Sequence, residues 1–219
     1  MASEQAASGD PRGNRQRILT VARRVLSESP QAPIEDIARA AGVVRRTVYG
    51  HFPSRDALIT QLLDETRTQM KEGIEALIAE AAPPEVALAR FTVAVMRAGD
   101  QYRLLLALAG ARPGNVTLDD VLAPANDYVR SLLGAGQQAG DFRRDVPAEV
   151  LGRVLQAATL SLLDSANDST WPGDPFAAAT LVLLAAGVPH QRCDETIARL
   201  RARDPERRPA APPREVRTP

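Results

Sequence analysis

Apolar residues recur at helical spacing along most of this chain. In one clear segment Ile34, Ile37, Ala38 and Ala41 follow the i, i+3, i+4, i+7 pattern, which places four side chains on one face of a helix. No segment alternates apolar and polar residues as a half-buried strand does. The helical pattern is interrupted by proline and glycine clusters at Pro83-Pro84, Arg112-Pro113-Gly114, Gly140-Asp141 and Trp171-Pro172-Gly173. The sequence therefore predicts an all-α protein.

The predicted helices divide the chain into two structured regions between two tails. Residues 1–13 and 204–219 are rich in Gly, Ser, Gln or Pro and have no apolar periodicity, so both are predicted to be disordered. Residues 14–58 are predicted to form a small three-helix domain, and residues 59–203 a larger helical domain. Beyond the first three helices, further ones are predicted near residues 54–80, 84–99, 101–111, 117–138, 147–167, 175–187 and 193–203.

Two short amphipathic helices joined by a tight turn are predicted within residues 32–51, which read APIEDIARAAGVVRRTVYGH. Gly42 suits the turn because glycine adopts positive φ without a steric penalty. Ala38 is small enough to let the second helix cross the first closely, and Val43 and Val48 are placed to fill the angle between them. This arrangement predicts a helix-turn-helix whose second helix projects outward.

The outward side of that second helix carries side chains suited to nucleic acid. Arg45 and Arg46 each have the forked guanidinium that binds guanine O6 and N7, or phosphate. The charge distribution points the same way, because residues 1–60 hold nine Arg and six Asp or Glu, whereas the whole chain is neutral. The residues predicted to contact DNA are Val44, Arg45, Arg46, Thr47, Tyr49, Gly50, His51 and Arg55, the last of which begins the next helix.

Residues suited to catalysis or metal binding are scarce. His51 and His190 are the only histidines and lie far apart, and Cys193, the only cysteine, is predicted to be an inert thiol. The chain has no glycine-rich phosphate loop and no nucleophile-elbow motif. The sequence therefore predicts a protein that is not an enzyme and needs neither cofactor nor metal. The longest nearly unbroken apolar run, residues 176–188, is too short to span a membrane, and the first residues do not resemble a signal peptide, so we expect a cytoplasmic protein.

The run from Ala41 to Leu58 reads A-G-V-x-x-x-T-V-Y-x-H-F-P-S-x-x-A-L. Together with Ile37-Ala38 upstream, it resembles the DNA-binding half of the TetR family of bacterial regulators. The resemblance covers about residues 14–60. Later in the chain, Gly140-Asp141-Phe142-Arg143 followed by Val146-Pro147 resembles a common link before the last two helices of that family.

Three positions depart from the family pattern. Val44 stands where Ser or Thr usually caps the recognition helix, and Pro33 stands where Thr often opens the preceding helix. Both departures remove a side-chain contact to phosphate. Gly50 replaces a larger residue, which costs about 1 kcal/mol of helix stability relative to Ala. These changes bear on DNA affinity more than on the fold.

The resemblance implies a homodimer whose two recognition helices enter successive major grooves of double-stranded operator DNA. It also implies that the larger domain binds a small molecule. Phe91, Met96, Tyr102 and Tyr128 lie on helices that resemble the family's ligand-binding region, with core packing as the alternative for each. Asp164 is a further pocket candidate, because a carboxylate in a strongly apolar helix needs a partner. A pairing across a dimer and a position at a solvated helix edge are its alternatives.

The helices near residues 147–167 and 175–187 are unusually apolar, and the second is apolar on almost every side. A helix without a polar face should be buried on several sides. The resemblance places these two helices in a dimeric four-helix bundle. The residues predicted at that interface are Leu151, Leu155, Leu162, Ala178, Leu181, Leu183 and Leu184.

The sequence predicts a DNA-binding transcriptional regulator, and the resemblance implies a repressor that a small molecule releases from its operator. Few charged residues interrupt residues 150–188, so the predicted effector is largely apolar. Two alternatives stay open. One is a DNA-binding activator or architectural protein without a ligand, and the other is a helical enzyme or carrier whose N-terminal hairpin is purely structural.

Overall fold

The computed structural model describes residues 11–99, 104, 108 and 117–204 of the chain. Nine helices and no strand lie within these residues, so the all-α prediction is confirmed. The first four helices are α1 (Pro11–Glu28), α2 (Ile34–Ala40), α3 (Arg45–His51) and α4 (Arg55–Ala79). The other five are α5 (Pro84–Arg97), α6 (Leu118–Ala139), α7 (Ala148–Asn167), α8 (Pro175–Ala185) and α9 (His190–Ala202).

Helices α1 to α3 pack around a small apolar centre at the N-terminal end of the chain. Ile18 and Leu26 of α1 are fully buried there, as are Ile37 of α2 and Val48 of α3. Each helix contributes one apolar stripe, which matches the helical spacing of the sequence. The opposite sides of α2 and α3 are thereby left free to face solvent.

The turn between α2 and α3 has the backbone geometry that the sequence predicted. Gly42 has φ of +66°, in the left-handed region that favours glycine. The Val43 amide donates a hydrogen bond to the Ala38 carbonyl at 3.0 Å, which closes the turn. Pro33 and Val44 precede α2 and α3 without a side-chain cap, so these short helices depend on packing for their stability.

Capping side chains mark the beginnings of three longer helices. The Ser54 hydroxyl accepts a backbone amide in the first turn of α4 at 3.0 Å. Thr117 and Asp120 form a reciprocal capping box at the start of α6. The Asp174 carboxylate accepts a backbone amide of α8 at 2.9 Å. These local contacts explain why the helix boundaries can be predicted from short segments.

Helix α4 joins the N-terminal helices to the rest of the molecule, and the boundary predicted at residue 58 lies inside it. One apolar cluster extends from α1 along α4 to Leu163 of α7 and Ala178 of α8. A second cluster lies among α5, α6, α7, α8 and α9, with α5 and α8 forming the most extensive helix pair. Continuous apolar contacts along α4 therefore connect the N-terminal helices with the larger domain.

Two helices begin earlier than the sequence indicated. Helix α1 begins at Pro11, within the stretch predicted to be disordered, because proline suits the first position of a helix, where its missing amide has no helical partner anyway. Helix α9 begins at His190, directly after Pro189, instead of near residue 193. The remaining predictions for residues 1–10, 101–103, 105–107, 109–111 and 205–219 lie outside the described residues.

Close packing of α6 against the link that follows it makes one glycine sensitive to substitution. A Cβ atom added at Gly136 would overlap the ring of Phe142, which is buried. We expect Gly136→Ala to lower the free energy of unfolding by about 1–3 kcal/mol, because either the ring or the helix must move. Urea denaturation followed by circular dichroism measures this change.

Gly134 in the same helix provides a matched control. A Cβ atom there would meet no atom of the described residues within 4 Å. Gly134→Ala should therefore stabilise the protein by up to about 1 kcal/mol, because alanine favours the helix more than glycine does. A loss of stability of the same size in both variants would contradict the packing explanation.

Candidate nucleic-acid interface and internal cavity

The face of α3 that points away from the core is open to solvent. Val48 anchors the helix and is fully buried. Thr47 and His51 are half-buried at the margins of the open face. The exposed residues are Val44, Arg45, Arg46, Tyr49 and Gly50, of which Val44 is 69% exposed. A helix with this exposure can enter the major groove of a duplex without rearrangement of the core.

Arg45 is held by one residue of its own helix and one residue of α2. Its guanidinium donates to the Tyr49 hydroxyl at 3.3 Å, and its central carbon lies 5.2 Å from the centroid of the Tyr49 ring. The same guanidinium forms an ion pair with Glu35. The hydrogen bond to Tyr49, and then the charge of Glu35, raise the pKa of Arg45 above its usual value.

Arg46 has different surroundings from its neighbour Arg45. Its side chain is exposed, and it makes no ion pair with any residue that the structure describes. Sequence reasoning treated the two arginines alike and did not identify Glu35. The pattern held no signal for Glu35, because its contact with Arg45 joins two helices and depends on the angle at which they cross.

Arg55, predicted to contact phosphate from the start of α4, has a structural role in this fold. Its guanidinium donates to the Ala32 carbonyl at 3.0 Å and to the Pro30 carbonyl. Both carbonyls belong to the loop before α2, so Arg55 fastens that loop to α4. The sequence did not indicate this role, since the acceptors lie 23 and 25 residues earlier. A phosphate contact by Arg55 stays a prediction.

A cavity of about 250 Å³ lies between α5, α6 and α7 in the larger domain. Pro124 interrupts the hydrogen bonding of α6 beside it, because proline has no amide to donate. The apolar lining consists of Leu88, Phe91, Val95, Leu122, Ala125, Val129, Leu155, Leu160 and Val182. The polar lining includes Thr92, Asn126, Arg130, Glu149, Arg153, Gln156 and Thr159. The site therefore suits a compact molecule with a mainly apolar body and a few polar atoms.

The predicted pocket residues lie in different environments. Phe91 lines the cavity, and Tyr128 packs edge-on behind it, with 5.5 Å between the ring centroids. Tyr128 is buried, and that burial raises the pKa of its hydroxyl. Met96 is buried in the core and does not contribute to the cavity lining. Asp164 is exposed on α7, which agrees with the solvated alternative for this residue. Tyr102 lies outside the described residues.

The predicted interface residues separate into a buried and an exposed group. Leu181 and Leu184 of α8 are 45% and 40% exposed, and Leu162 of α7 is half-buried. The other four are already buried within the single chain, so their contact with a partner stays a prediction: Leu151, Leu155, Ala178 and Leu183. One side of α8 is covered by the protein's own α5, and helical spacing alone could not reveal which side.

Two valines on α7 are exposed to a similar extent as Leu181 and Leu184. Val150 and Val154 are 39% and 53% exposed and lie one helical turn apart. We define Val150, Val154, Leu181 and Leu184 as the apolar face. Four of the seven large apolar side chains that are exposed in the described part of the chain belong to this face, so the exposure is concentrated on α7 and α8.

Comparison with known proteins agrees with the geometry of α2 and α3. Residues 18–62 match the model of the bacterial regulatory proteins of the tetR family, which places the helix-turn-helix and the start of α4 inside the match. Residues 18–62 therefore carry the DNA-binding region of the TetR family. The chain is 36% identical over 90 residues to the HTH-type transcriptional repressor LfrR of Mycolicibacterium smegmatis. That match covers 41% of this chain and 48% of LfrR, so it spans about half the length of the relative.

Solved structures share the fold over most of this chain. The MbdR regulator from Azoarcus sp. CIB has a TM-score of 0.69 at 22% identity, covering 78% of this chain and 97% of that one. The transcriptional regulator FadR from Bacillus subtilis, in complex with stearoyl-CoA, has a TM-score of 0.65 at 22% identity, covering 80% and 99%. At this identity the likeness establishes a common fold, in which an N-terminal helix-turn-helix precedes a larger helical domain.

The described residues of this chain offer few groups for other chemistry. Among them, no cluster of three His, Cys, Asp or Glu residues is arranged to hold a metal ion. No helix in the same residues combines the length and apolar character that crossing a bilayer requires. Cys193 is fully buried, and its desolvation raises the pKa of the thiol, which disfavours the reactive thiolate.

Proposed function

We propose that this chain is a transcriptional repressor that binds operator DNA as a homodimer and leaves the DNA when a small, largely apolar molecule binds. The observation that carries the proposal is the open face of α3. Two arginines and a tyrosine point outward there from a helix that Val48 anchors in the core. The match of residues 18–62 to the TetR family and the similarity to a repressor support the same function.

Selection of genomic DNA fragments by the purified protein tests the DNA-binding part of the proposal. We expect a palindromic site with half-sites about 34–36 Å apart, because a dimer presents its recognition helices one helical turn apart. Affinity should fall steeply with salt, since phosphate contacts release counterions. A reporter gene placed behind the site should be repressed. The absence of sequence-selective binding at low salt would contradict the proposal, and increased expression would favour the activator alternative.

The cavity between α5, α6 and α7 supports the ligand-binding part of the proposal. Its volume of about 250 Å³ is just below the usual range of small-molecule sites, which begins at about 300 Å³. The apolar side chains that line it favour a compact apolar molecule. Such a ligand must bind the DNA-free form of the protein more tightly than the DNA-bound form. A ligand with equal affinity for both forms would not change their proportions.

A second, smaller void lies between the cavity and α4. This void of about 120 Å³ lies between α4 and α5, beside Met70, Gly73 and Ile74. Phe91 and Val95 line both spaces, so their side chains form the wall between them. A ligand that displaces Phe91 would move the ring towards α4, where the missing side chain of Gly73 leaves room. A tilt of α4 would then change the separation of the two recognition helices.

Calorimetry with an effector found by screening tests this coupling. Thermodynamic reciprocity requires operator DNA to weaken effector binding by the factor by which the effector weakens DNA binding. We expect these two factors to be equal within experimental error. Equal effector affinities with and without DNA would leave a DNA-binding protein but remove the ligand-induced release.

The apolar face on α7 and α8 supports the homodimer. Introduction of charge there by Val154→Glu with Leu181→Glu should yield a folded monomer, because a partner would have to bury two unpaired carboxylates. Sedimentation at micromolar concentration should show two chains for the wild-type protein and one for the variant. Leu183→Glu should instead unfold the chain, since Leu183 is buried within it.

Ile78 on α4 provides the control for this substitution. It is 58% exposed and lies outside the apolar face, so Ile78→Glu adds a similar charge to a different surface. This variant should remain dimeric. A monomeric wild-type protein, or dissociation of the Ile78→Glu variant as well, would contradict the proposed interface.

A further inference from the structure

The two adjacent arginines of α3 differ in their charge environment. Arg45 forms an ion pair with Glu35 and rests on Tyr49. Arg46 is exposed and has no ion-pair partner among the residues that the structure describes. One guanidinium is therefore locally neutralised, whereas the next carries a positive charge that is not compensated.

We propose that Glu35 makes Arg45 a base-reading residue, and that Arg46 provides the phosphate contact on this helix. The base that fits Arg45 is guanine. This inference rests on the proposed DNA-binding function and adds Glu35 to it as a residue that determines specificity.

The reason is the difference in charge between a phosphate and a base. A phosphate that approached Arg45 would also approach the carboxylate of Glu35, which repels it. The edge of guanine is uncharged and presents two acceptors, O6 and N7, so the carboxylate does not repel it to the same extent. The two side chains are 60% and 43% exposed, and such a pair contributes little to fold stability. Its main consequence is the choice of the group that Arg45 binds.

The contacts of Arg45 also restrict the orientation of its guanidinium. Glu35 is paired with Nη1, and the Tyr49 hydroxyl accepts from Nη2. A guanidinium carries five N–H donors, so these two contacts leave donors for a base. Because the side chain is already held in place, less conformational freedom is lost when it binds. Recognition of one base edge depends on such fixed geometry, whereas a phosphate contact tolerates several orientations.

The test compares wild-type protein and Glu35→Gln on the selected operator and on a random-sequence duplex of the same length. Glu35→Gln frees Arg45 to bind phosphate. We expect this variant to bind the random duplex more tightly and to show a smaller ratio of operator to random affinity. The slope of log affinity against log salt should become steeper by about 0.9 for each phosphate that Arg45 then neutralises.

Single arginine variants separate the two roles. Arg46→Ala should flatten the slope of log affinity against log salt by about 0.9 per subunit. It should weaken binding to the operator and to its base-pair variants by the same factor. Arg45→Ala should leave the slope unchanged and reduce the preference for one G·C pair in each half-site by roughly 5- to 150-fold.

Asp36→Asn is the matched control for Glu35→Gln. Asp36 also lies on α2, but it pairs with Arg39 of the same helix at 2.8 Å. Its neutralisation should leave the preference for that G·C pair unchanged. A salt slope for Glu35→Gln equal to that of wild type, or a slope flattened by Arg45→Ala as much as by Arg46→Ala, would overturn the inference. Failure of the wild-type protein to bind any duplex would instead overturn the proposed function.

Discussion

Replacement of both Arg45 and Arg46 by alanine should abolish most of the DNA affinity and leave the fold intact. We expect a loss of about 2–5 kcal/mol per half-site, because a guanine contact is worth about 1–3 kcal/mol and a phosphate contact adds to it. Both side chains are exposed, and neither belongs to an apolar cluster. Fluorescence anisotropy with labelled operator measures the affinity, and circular dichroism reports the helical content.

Two arginines far from α3 provide the control for this charge change. Arg199 on α9 and Arg203 directly after it are exposed, so Arg199→Ala with Arg203→Ala removes the same net charge from the other domain. DNA affinity should change by about twofold or less, since such exposed charges are largely screened at physiological salt. Unchanged affinity in the Arg45, Arg46 variant would remove the observation on which the proposed function rests.

Glu85→Ala should lower the free energy of unfolding by about 2–4 kcal/mol. Glu85 at the start of α5 is only 5% exposed, and it accepts the Thr196 hydroxyl at 2.6 Å and pairs with Arg192. Its removal leaves the buried hydroxyl without an acceptor and breaks the ion pair that joins α5 to α9. Arg192 keeps Asp141 as a partner at 2.9 Å, which limits the loss.

Denaturation at one fixed protein concentration measures this change, because association makes the apparent stability depend on concentration. Asp145→Ala is the matched control. Asp145 pairs with Arg143 at 2.6 Å, but both side chains are largely exposed, so its removal should change stability by about 1 kcal/mol or less. Similar losses in the two variants would show that burial is not the source of the effect.

The helix-turn-helix could be predicted because the residues that specify it lie close together in sequence. Gly42 supplies the positive φ of the turn, Ala38 accepts the amide that closes it, and Val48 anchors the second helix one turn later. Each contact involves residues ten or fewer positions apart, so spacing alone identifies them. The same reasoning explains the start of α4, where the Ser54 cap acts within one turn.

Contacts between distant segments could not be predicted in this way. Arg55 binds carbonyls of the loop before α2, and Glu85 binds Thr196, 111 residues away. Glu35 reaches Arg45 only because α2 and α3 cross at a particular angle. Nothing in the spacing of these polar residues distinguishes them from residues on a solvated helix surface.

Local pattern was thus sufficient for the helical class of this protein, for most of its helix boundaries and for the recognition helix, because periodicity, caps and turns act within one or two helical turns. Packing between helices determined which side chains are buried, which are exposed and which line the cavity. Helical spacing shows that a helix has an apolar side but does not identify the helix that packs against it. Leu183 therefore faces the core while Leu184 faces solvent, and Phe91 lines the cavity while Tyr128 lies behind it.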